Sequence, residues 1–490
     1  MERVPSHALE NPGTTSLGRR VSAALPSRDR SGFRLLSSGD TAYRARLALV
    51  DQAEQSLDLQ YYVVERDPST RELFARIRRA AEYGVRVRIL LDDLNTVSRD
   101  AALARYAAHP NVEIRLFNPF PAARFSLASR FLVAAADLGR LTRRMHNKLF
   151  VADNAVAIAG GRNLGAAYFE GTEDVNFADL DVLAAGPVVP DLSRTFDRYW
   201  NSDLAYPVDM VVGRPAGLAT TPVPSPASAT ASLPASPGPA GEEPSDALPV
   251  GEPLQRLVWA HAYVLADPPT KVASTGASAP GPVFDSVLAM LRRAGQSVAI
   301  VSPYVIPSSD LLDALRQLRD RGVAVQVLTN SLATTDMPVA HAAYARHRVE
   351  LLTLGVQLHE LRATPGRRGG LLGASSRSSR ASLHAKGILV DGRWLVVGSM
   401  NLDPRSALEN TEVGIVIDSA ELGAQMARLI GQGIQPEASY ALRLEPDGRT
   451  IQWTTRESGA EHTYVHDPEA GFWRSLANVL LRVTVPEAPL

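Results

Sequence analysis

Two stretches of this chain carry the same chemistry-bearing residues at the same spacing. The first reads His146-Asn147-Lys148, four residues, Asp153, six residues, then Gly160-Gly161-Arg162-Asn163. The second reads His384-Ala385-Lys386, four residues, Asp391, six residues, then Gly398-Ser399-Met400-Asn401. On a strand, residues two apart share a face, so each imidazole presents together with an ammonium. Asn163 and Asn401 follow small residues just after the return strand, where an amide reaches the same face. Brought together, the stretches make a site of two histidines and two lysines, which suits displacement at the phosphorus of a diester. One histidine attacks phosphorus and forms a covalent intermediate; the other protonates the leaving alcohol and deprotonates the incoming one. The lysines and asparagines hold the non-bridging oxygens and the charge of the transition state. This scheme needs no cofactor, and the sequence shows no metal-ligand spacing. Asp153 and Asp391 complete the catalytic pattern. Each opens an expected two-residue turn, Asp153-Asn154 and Asp391-Gly392, which gives it a hairpin to order.

The cation usage singles out the same residues. Among 51 lysines and arginines only Lys148, Lys271 and Lys386 are lysine. Ammonium and guanidinium differ in shape, hydration and pKa behaviour, so the choice points to chemistry rather than surface charge. The formal net charge of −1 hides two basic stretches. Arg124, Arg130, Arg140, Arg143, Arg144 and Lys148 lead into the first motif against one acid, Asp137. Arg362, Arg367, Arg368, Arg377, Arg380 and Lys386 surround the second with no acid. Basic runs placed equivalently before two equivalent motifs favour an anionic substrate or an anionic membrane surface. With no cysteine there is no disulfide, thiolate nucleophile, cysteine zinc site or lipidated cysteine. No apolar run approaches the ~18–20 residues of a membrane-spanning helix.

The elements that must position these residues are duplicated as well. Ala53-Glu54-Gln55-Ser56, an apolar run and Tyr62 answer Ala294-Gly295-Gln296-Ser297, an apolar run and Tyr304. Helical patterns over 73–83 and 311–321 end at Gly84 and Gly322, the left-handed closing residue, and alternating strands follow. From that glycine to the motif histidine is 62 residues in both halves. Strand, helix and strand in each half predict an α/β fold of two tandem pseudo-symmetric units. The expected division is a disordered tail (1–31), a first unit (32–212), a Pro/Ala/Ser-rich flexible linker (213–253), a second unit (254–435) and a C-terminal extension packed on it (436–490). In that extension Pro446-Asp447-Gly448 predicts a hairpin turn. Phe472, Trp473, Leu476, Val479 and Leu480 form an apolar helical stripe, expected to pack in the core.

The paired patterns resemble those of the phospholipase D superfamily. The surrounding text is similar to one branch, the bacterial cardiolipin synthases of the C type: Leu91-Asp92-Asp93, Leu116-Phe117-Asn118-Pro119-Phe120, Arg143-Arg144-Met145 before His146, Tyr199-Trp200-Asn201 and Asp267-Pro268-Pro269. The resemblance runs from about residue 32 to the C-terminus, the linker excepted. It implies two phospholipase D-like units packed face to face around one shared active site, with a phosphatidyl group passing through a phosphohistidine. It also implies an acid soon after each motif, paired to the motif histidine. Glu412 fits in the second half; in the first Asp179 is preferred over Asp181 and Asp174. Gly161 departs from Ser399, so the two histidines are not equivalent. The resemblance further implies cardiolipin synthesis from phosphatidylglycerol and a second glycerophospholipid, with His146 as nucleophile, peripheral on the bacterial inner membrane. Water in place of the acceptor lipid would make a phospholipase D, which the motifs do not separate from a synthase. A nuclease of the same superfamily is disfavoured by the near-neutral charge and by the lack of base-stacking aromatics near the motifs, so no nucleic acid is expected. Lys271, held by the stiff Asp267-Pro268-Pro269-Thr270 segment, is expected to bind substrate at the seam between the halves, together with Arg144, Arg367 and Arg368. The acid-free stretch from Arg362 to Arg380 is expected to work at the lipid surface.

Overall fold

A computed structural model describes residues 3–96, 99–120, 139, 142–172, 175–213, 254, 256–273, 279–363, 380–471, 478 and 481. The landmarks of the duplication become matching elements. The helix Pro68–Glu82 is closed by Gly84 at φ 98° and leads to the strand Arg86–Asp92. The helix Ser309–Asp320 is closed by Gly322 at φ 77° and leads to Ala324–Asn330. A positive φ there costs glycine little, which is why both helices stop where they do.

Each motif folds as an antiparallel hairpin, Leu149–Ala152 with Val156–Gly160 and Gly387–Val390 with Trp394–Gly398. Both central turn residues are left-handed in each: Asp153 and Asn154 at φ 52° and 48°, Asp391 and Gly392 at 51° and 63°. That conformation matches the twist of the flanking strands. Each hairpin pairs on one side with Ser56–Tyr61 or Ser297–Val301, which starts a parallel run of three strands. On the other side each pairs with Asp181–Ala185 or Val413–Asp418. The strand order is the same in both units.

The two sheets meet at Ser31–Leu36 and Val258–Ala266, which pair antiparallel with Gly32 opposite Trp259. A Cβ on Gly32 would stand 2.8 Å from the end of the Leu257 side chain and 3.1 Å from the Trp259 ring, so glycine lets these side chains close over the junction. Among the described residues the result is one sheet of 18 strands that also packs against itself. An apolar core takes residues from both units, among them Leu149, Val182, Phe196, Leu395, Ile415 and Met426, so the halves meet face to face as well as edge to edge. Separate cores lie under the outer helices of each unit.

The first 31 residues correct the expectation of a disordered tail. They hold the helix Ser16–Ala24, which buries Leu17 and Val21 in the first unit's core. The tail's carbonyls also satisfy buried donors: Arg88 donates to Ser6 O at 2.9 Å, Arg115 to Val4 O at 2.7 Å and Asn154 to Leu9 O at 2.9 Å. A polar segment is ordered here by what it caps, which its composition does not show. After residue 435 the strands Ser439–Leu444, Ile451–Glu457 and Ala460–Tyr464 extend the second unit's sheet. A turn at Pro446-Asp447-Gly448 joins the first two, with Gly448 at φ 67°. The apolar stripe Phe472, Trp473, Leu476, Val479 and Leu480 lies outside the described residues, as does most of the 213–253 segment.

Candidate active site

The motif strands of the two units place His146 and His384 on one cavity of about 670 Å³. Backbone pairing between the units sets their approach. Arg380–Leu383 runs parallel to Val175–Ala178, and His384 N donates to Ala178 O at 2.8 Å. In the mirrored arrangement His146 N donates to Thr411 O at 3.0 Å. The residue after each of those carbonyls is an acid. Glu412 therefore faces His146, both of its oxygens lying 3.0–3.1 Å from Nδ1, and Asp179 faces His384 with Oδ2 2.6 Å from Nδ1. The expectation that each acid serves its own motif's histidine is corrected: the pairing crosses between units. Asp181 instead binds Arg46 at 2.9 Å and is structural, and Asp174 lies outside the described residues.

The two acids are held differently, which accounts for the Gly161/Ser399 difference. Ser399 Oγ donates to Glu412 Oε2, and Ser406 Oγ donates to Oε1 at 2.8 Å. Asp179 is one methylene shorter and accepts from Leu180 N at 2.7 Å. Its Oδ1 lies 2.1 Å from where a Cβ on Gly161 would be. Serine is excluded at 161 by the carboxylate that serves His384.

Both carboxylates are fully buried, and the histidines they face keep only a small surface on the cavity. Burial pulls the His146 imidazole down to about 4 against the pull of Glu412, with Lys148 adding to the fall. Burial and Lys386 lower His384 too. Burial pushes Asp179 and Glu412 up, but the facing histidines and nearby cations overcome it and hold both below the ordinary range. Near neutral pH these shifts leave the imidazoles neutral and the carboxylates ionised in the free protein. Each Nδ1 then carries its proton toward a carboxylate, leaving an Nε2 lone pair for the cavity. The lysines lie just behind: Lys148 Nζ donates to His146 O at 2.7 Å, and Lys386 Nζ to His384 O. Burial and the other lysine hold Lys148 well below its usual range; burial brings Lys386 to about 8. The two buried lysines disfavour each other's charge, against the pull of Asp179 and Glu412, so an anion arriving in the cavity would favour their charged forms. Aromatic edges fix the imidazoles, Tyr62 on His146 at 5.2 Å and Tyr168 and Phe177 on His384 at 5.3 Å each.

Other expected residues stand elsewhere. Asp153 accepts from the N–H groups of Glu54, Gln55 and Ser56 at 2.8–2.9 Å, and Asp391 from Gly295, Gln296 and Ser297. They splice each hairpin to the preceding strand and do not line the cavity, so their place in the catalytic set is corrected. Lys271 is also corrected as a substrate-binding residue. It is buried, donates to Asp267 Oδ2 at 2.8 Å and Ser406 O at 2.9 Å, and Asp267 in turn accepts from Glu412 N. It braces the segment that carries Glu412 rather than the cavity. Arg144 is buried over the Phe120 ring, donates to Asn118 O at 3.1 Å and lies 3.6 Å from Asp92, so it too is structural. Arg367 and Arg368 lie outside the described residues; Arg362 pairs with Glu457 at 2.7 Å. Asn163 and Asn401 line the cavity. The sequence reading missed Tyr168, Asp336, Asp403 and Ser406. Asp403 and Ser406 stand within five residues of Asn401 and were open to notice; Tyr168 and Asp336 carry no local signal. The reading also missed an apolar wall drawn from the second unit, including Ile306, Leu312, Met337, Ala340 and Leu408.

The sequence family described as "Cardiolipin synthase, PLD-like domain" matches residues 47–200 and 287–432, the two segments that build this site. Cardiolipin synthase C of Escherichia coli is 38% identical over 473 residues, covering 93% of this chain and 96% of that one. The chain belongs to the phospholipase D-like cardiolipin synthase family. Cardiolipin synthase B of Salmonella typhi is 26% identical over 390 residues, covering 80% of this chain and 77% of that one. A solved phosphatidylserine synthase of Haemophilus influenzae shares the fold at 14% identity, with a TM-score of 0.57 over 87% of this chain and 92% of that one.

Proposed function

We propose that the protein is a phosphatidyltransferase that makes cardiolipin, passing the phosphatidyl group of one glycerophospholipid through His146 to a hydroxyl of phosphatidylglycerol. The observation that carries this reading is the pair of imidazoles on one cavity, each with Nδ1 on a buried carboxylate of the opposite unit, beside an apolar wall suited to acyl chains. Nε2 of His146 forms the bond to phosphorus while the bond to the leaving alcohol breaks, and His384 gives that alcohol its proton. The charge left on the imidazole ring is balanced by Glu412, itself held by two serine hydroxyls. In the second step the acceptor hydroxyl attacks phosphorus, its proton goes to His384, and the N–P electron pair returns to His146. Lys148 and Lys386 regain full charge against the phosphodiester and stabilise the equatorial oxygens. The phosphodiester's charge also raises His384, so that it starts the cycle protonated.

The enzyme works at the bacterial inner membrane as a peripheral protein. Among the described residues no helix is long and apolar enough to cross a membrane, and the acid-free stretch from Arg362 to Arg380 carries four cations besides Arg362, which is paired with Glu457. Near anionic lipid each such cation contributes about 1 kcal/mol. Lipid extraction after expression in cells lacking cardiolipin tests the activity: cardiolipin appears if the acceptor is a lipid, and phosphatidic acid accumulates instead if it is water. Labelled lipid should remain trapped on His384→Ala protein and not on His146→Ala; the reverse pattern exchanges the two roles.

A further inference from the structure

The helix Pro338–Thr353 forms one wall of the cavity, and its faces run against the usual pattern. A helix ordinarily turns its apolar stripe to the protein and polar residues to open space. Here the side packed on the protein carries His341, Tyr344 and Arg348 beside Leu351, all buried. The Tyr344 hydroxyl donates to Glu360 Oε1 at 2.9 Å, and Arg348 donates to the same oxygen at 2.8 Å and to Asp467 at 2.7 Å. Trp453 Nε1 donates to the other Glu360 oxygen at 3.0 Å. Toward the cavity stand Met337, Ala340 and Ala343, with Arg346 and His347 closing the apolar stretch a turn further on. A buried polar network, in which Asp467 and Trp453 come from the C-terminal extension, therefore fixes the helix from behind and leaves apolar side chains facing open space. Ile306, Leu312 and Leu408 complete the wall, so it belongs to the second unit. Among the described residues the first unit gives the cavity His146, Tyr62, Val63, Asn163 and Tyr168, and its helix Asp100–Tyr106, which follows the equivalent strand, gives none.

Both imidazoles open on this same cavity, so its apolar wall serves the lipid whose phosphorus they hold. We infer that the wall seats the first part of one acyl chain of the phosphatidyl group, and that Ala340 and Ala343 set how wide that chain can be. This rests on the transfer reading given above and adds which lipid's chain the cavity recognises. The acyl chains of the phosphatidyl group begin one glycerol away from the phosphorus under attack. Those of the acceptor begin beyond its glycerol head, a second phosphate and a further glycerol. The phosphatidyl group also stays through both steps while the alcohols exchange, so a chain seated here holds phosphorus in place for each. From Met337 to Ala343 the helix rises about 9 Å at 1.5 Å per residue. That is room for the start of a chain and not for its whole length, so the remainder leaves the cavity toward the lipid surface. A cavity of about 670 Å³ is likewise of the size that encloses one small ligand, far less than all the chains of the cardiolipin product. A larger side chain at 340 or 343 would stand in the space that the chain needs.

The test uses purified full-length protein on vesicles holding dioleoyl and diphytanoyl phosphatidylglycerol in equal amounts, with deuterated glycerol as acceptor. Phytanoyl chains are methyl-branched from near the carboxyl end, and the glycerol acceptor has no chain. The branched-to-straight ratio of deuterated products, read by mass spectrometry, therefore reports the donor's chain alone. Ala343→Phe and Ala340→Phe should each lower that ratio roughly tenfold, the effect of one misfitting methyl group in an apolar pocket. Met337→Ala, at an exposed position, widens the seat and should raise the ratio several-fold; it carries the test if the phenylalanine variants do not fold. A general loss of activity lowers both products and leaves the ratio where it was. A folded variant of either kind with an unchanged or reversed ratio overturns the chain seat, whatever its rate, and leaves the transferase reading standing. No exchange by wild type with glycerol sinks the transferase reading, and the seat with it.

Discussion

Gly161→Ser would write the second motif's residue into the first, and the structure says it should damage the other unit's histidine. A Cβ at 161 would lie 2.1 Å from Asp179 Oδ1, where an ordinary contact begins at 3.4 Å. The carboxylate must retreat by about 1 Å or more, which breaks its 2.6 Å contact with His384 Nδ1. A hydrogen bond to a charged group contributes about 1.5–3 kcal/mol. Its loss should slow cardiolipin formation roughly ten- to 150-fold if His384 moves protons in the rate-limiting step. The double variant Gly161→Ser/Asp179→Glu rebuilds the Ser399–Glu412 arrangement, with a serine hydroxyl donating to a longer carboxylate, and should recover at least tenfold over the single variant. Rates on labelled phosphatidylglycerol vesicles, with thermal melts to show that each variant folds, complete the double-mutant cycle. A wild-type rate for Gly161→Ser, or a folded double variant no faster than the single, would refute the argument that 161 is glycine because of Asp179.

Three further outcomes follow from the charges. Lys386, at about 8 in the free enzyme, should place an alkaline limb near pH 8 in the rate on dilute substrate, and Lys386→Arg should push that limb beyond pH 10 at lower turnover; a limb that stays put excludes Lys386 as its source. His146 sits near 4 when folded against about 6.5 unfolded, so below pH 6.5 the unfolded chain binds the extra proton. Stability should be full above pH 6.5 and fall by about 3 kcal/mol as pH drops through 4, a loss that urea titrations of His146→Gln should show to be smaller. Lys271→Met leaves Asp267 buried without its cation and should cost about 3–5 kcal/mol in urea unfolding, whereas an unchanged midpoint would mean the ion pair contributes nothing.

How much of this was legible in sequence depends on whether a feature repeats within one half or crosses between halves. The repeat is local, so its period reported the paired strands, the closing glycines and the hairpins that carry His146 and His384. The acids were found as residues, Glu412 and Asp179, but assigned to the wrong partners. Their positions recur in each half, whereas their contacts run from Thr411 O to His146 N and from Ala178 O to His384 N, between halves. No spacing along one chain segment encodes that exchange. Lysine usage was informative in kind and misleading in place: all three lysines are buried, but burial selects the smaller ammonium for packing as readily as for catalysis. Lys271 shows why. A Cβ on Gly281 would come within 2.6 Å of its Nζ, so the ammonium fills a space that glycine leaves open and a planar guanidinium would crowd. The same lysine fixes Asp267 and Ser406 O, which set the backbone and the hydroxyl that hold Glu412 against His146. Its influence on the chemistry therefore runs through position and not through contact with lipid. A variant at Lys271 that still folds should shift the pH profile of the rate on labelled phosphatidylglycerol vesicles, and an unchanged profile would mean that the Glu412–His146 pair does not depend on it.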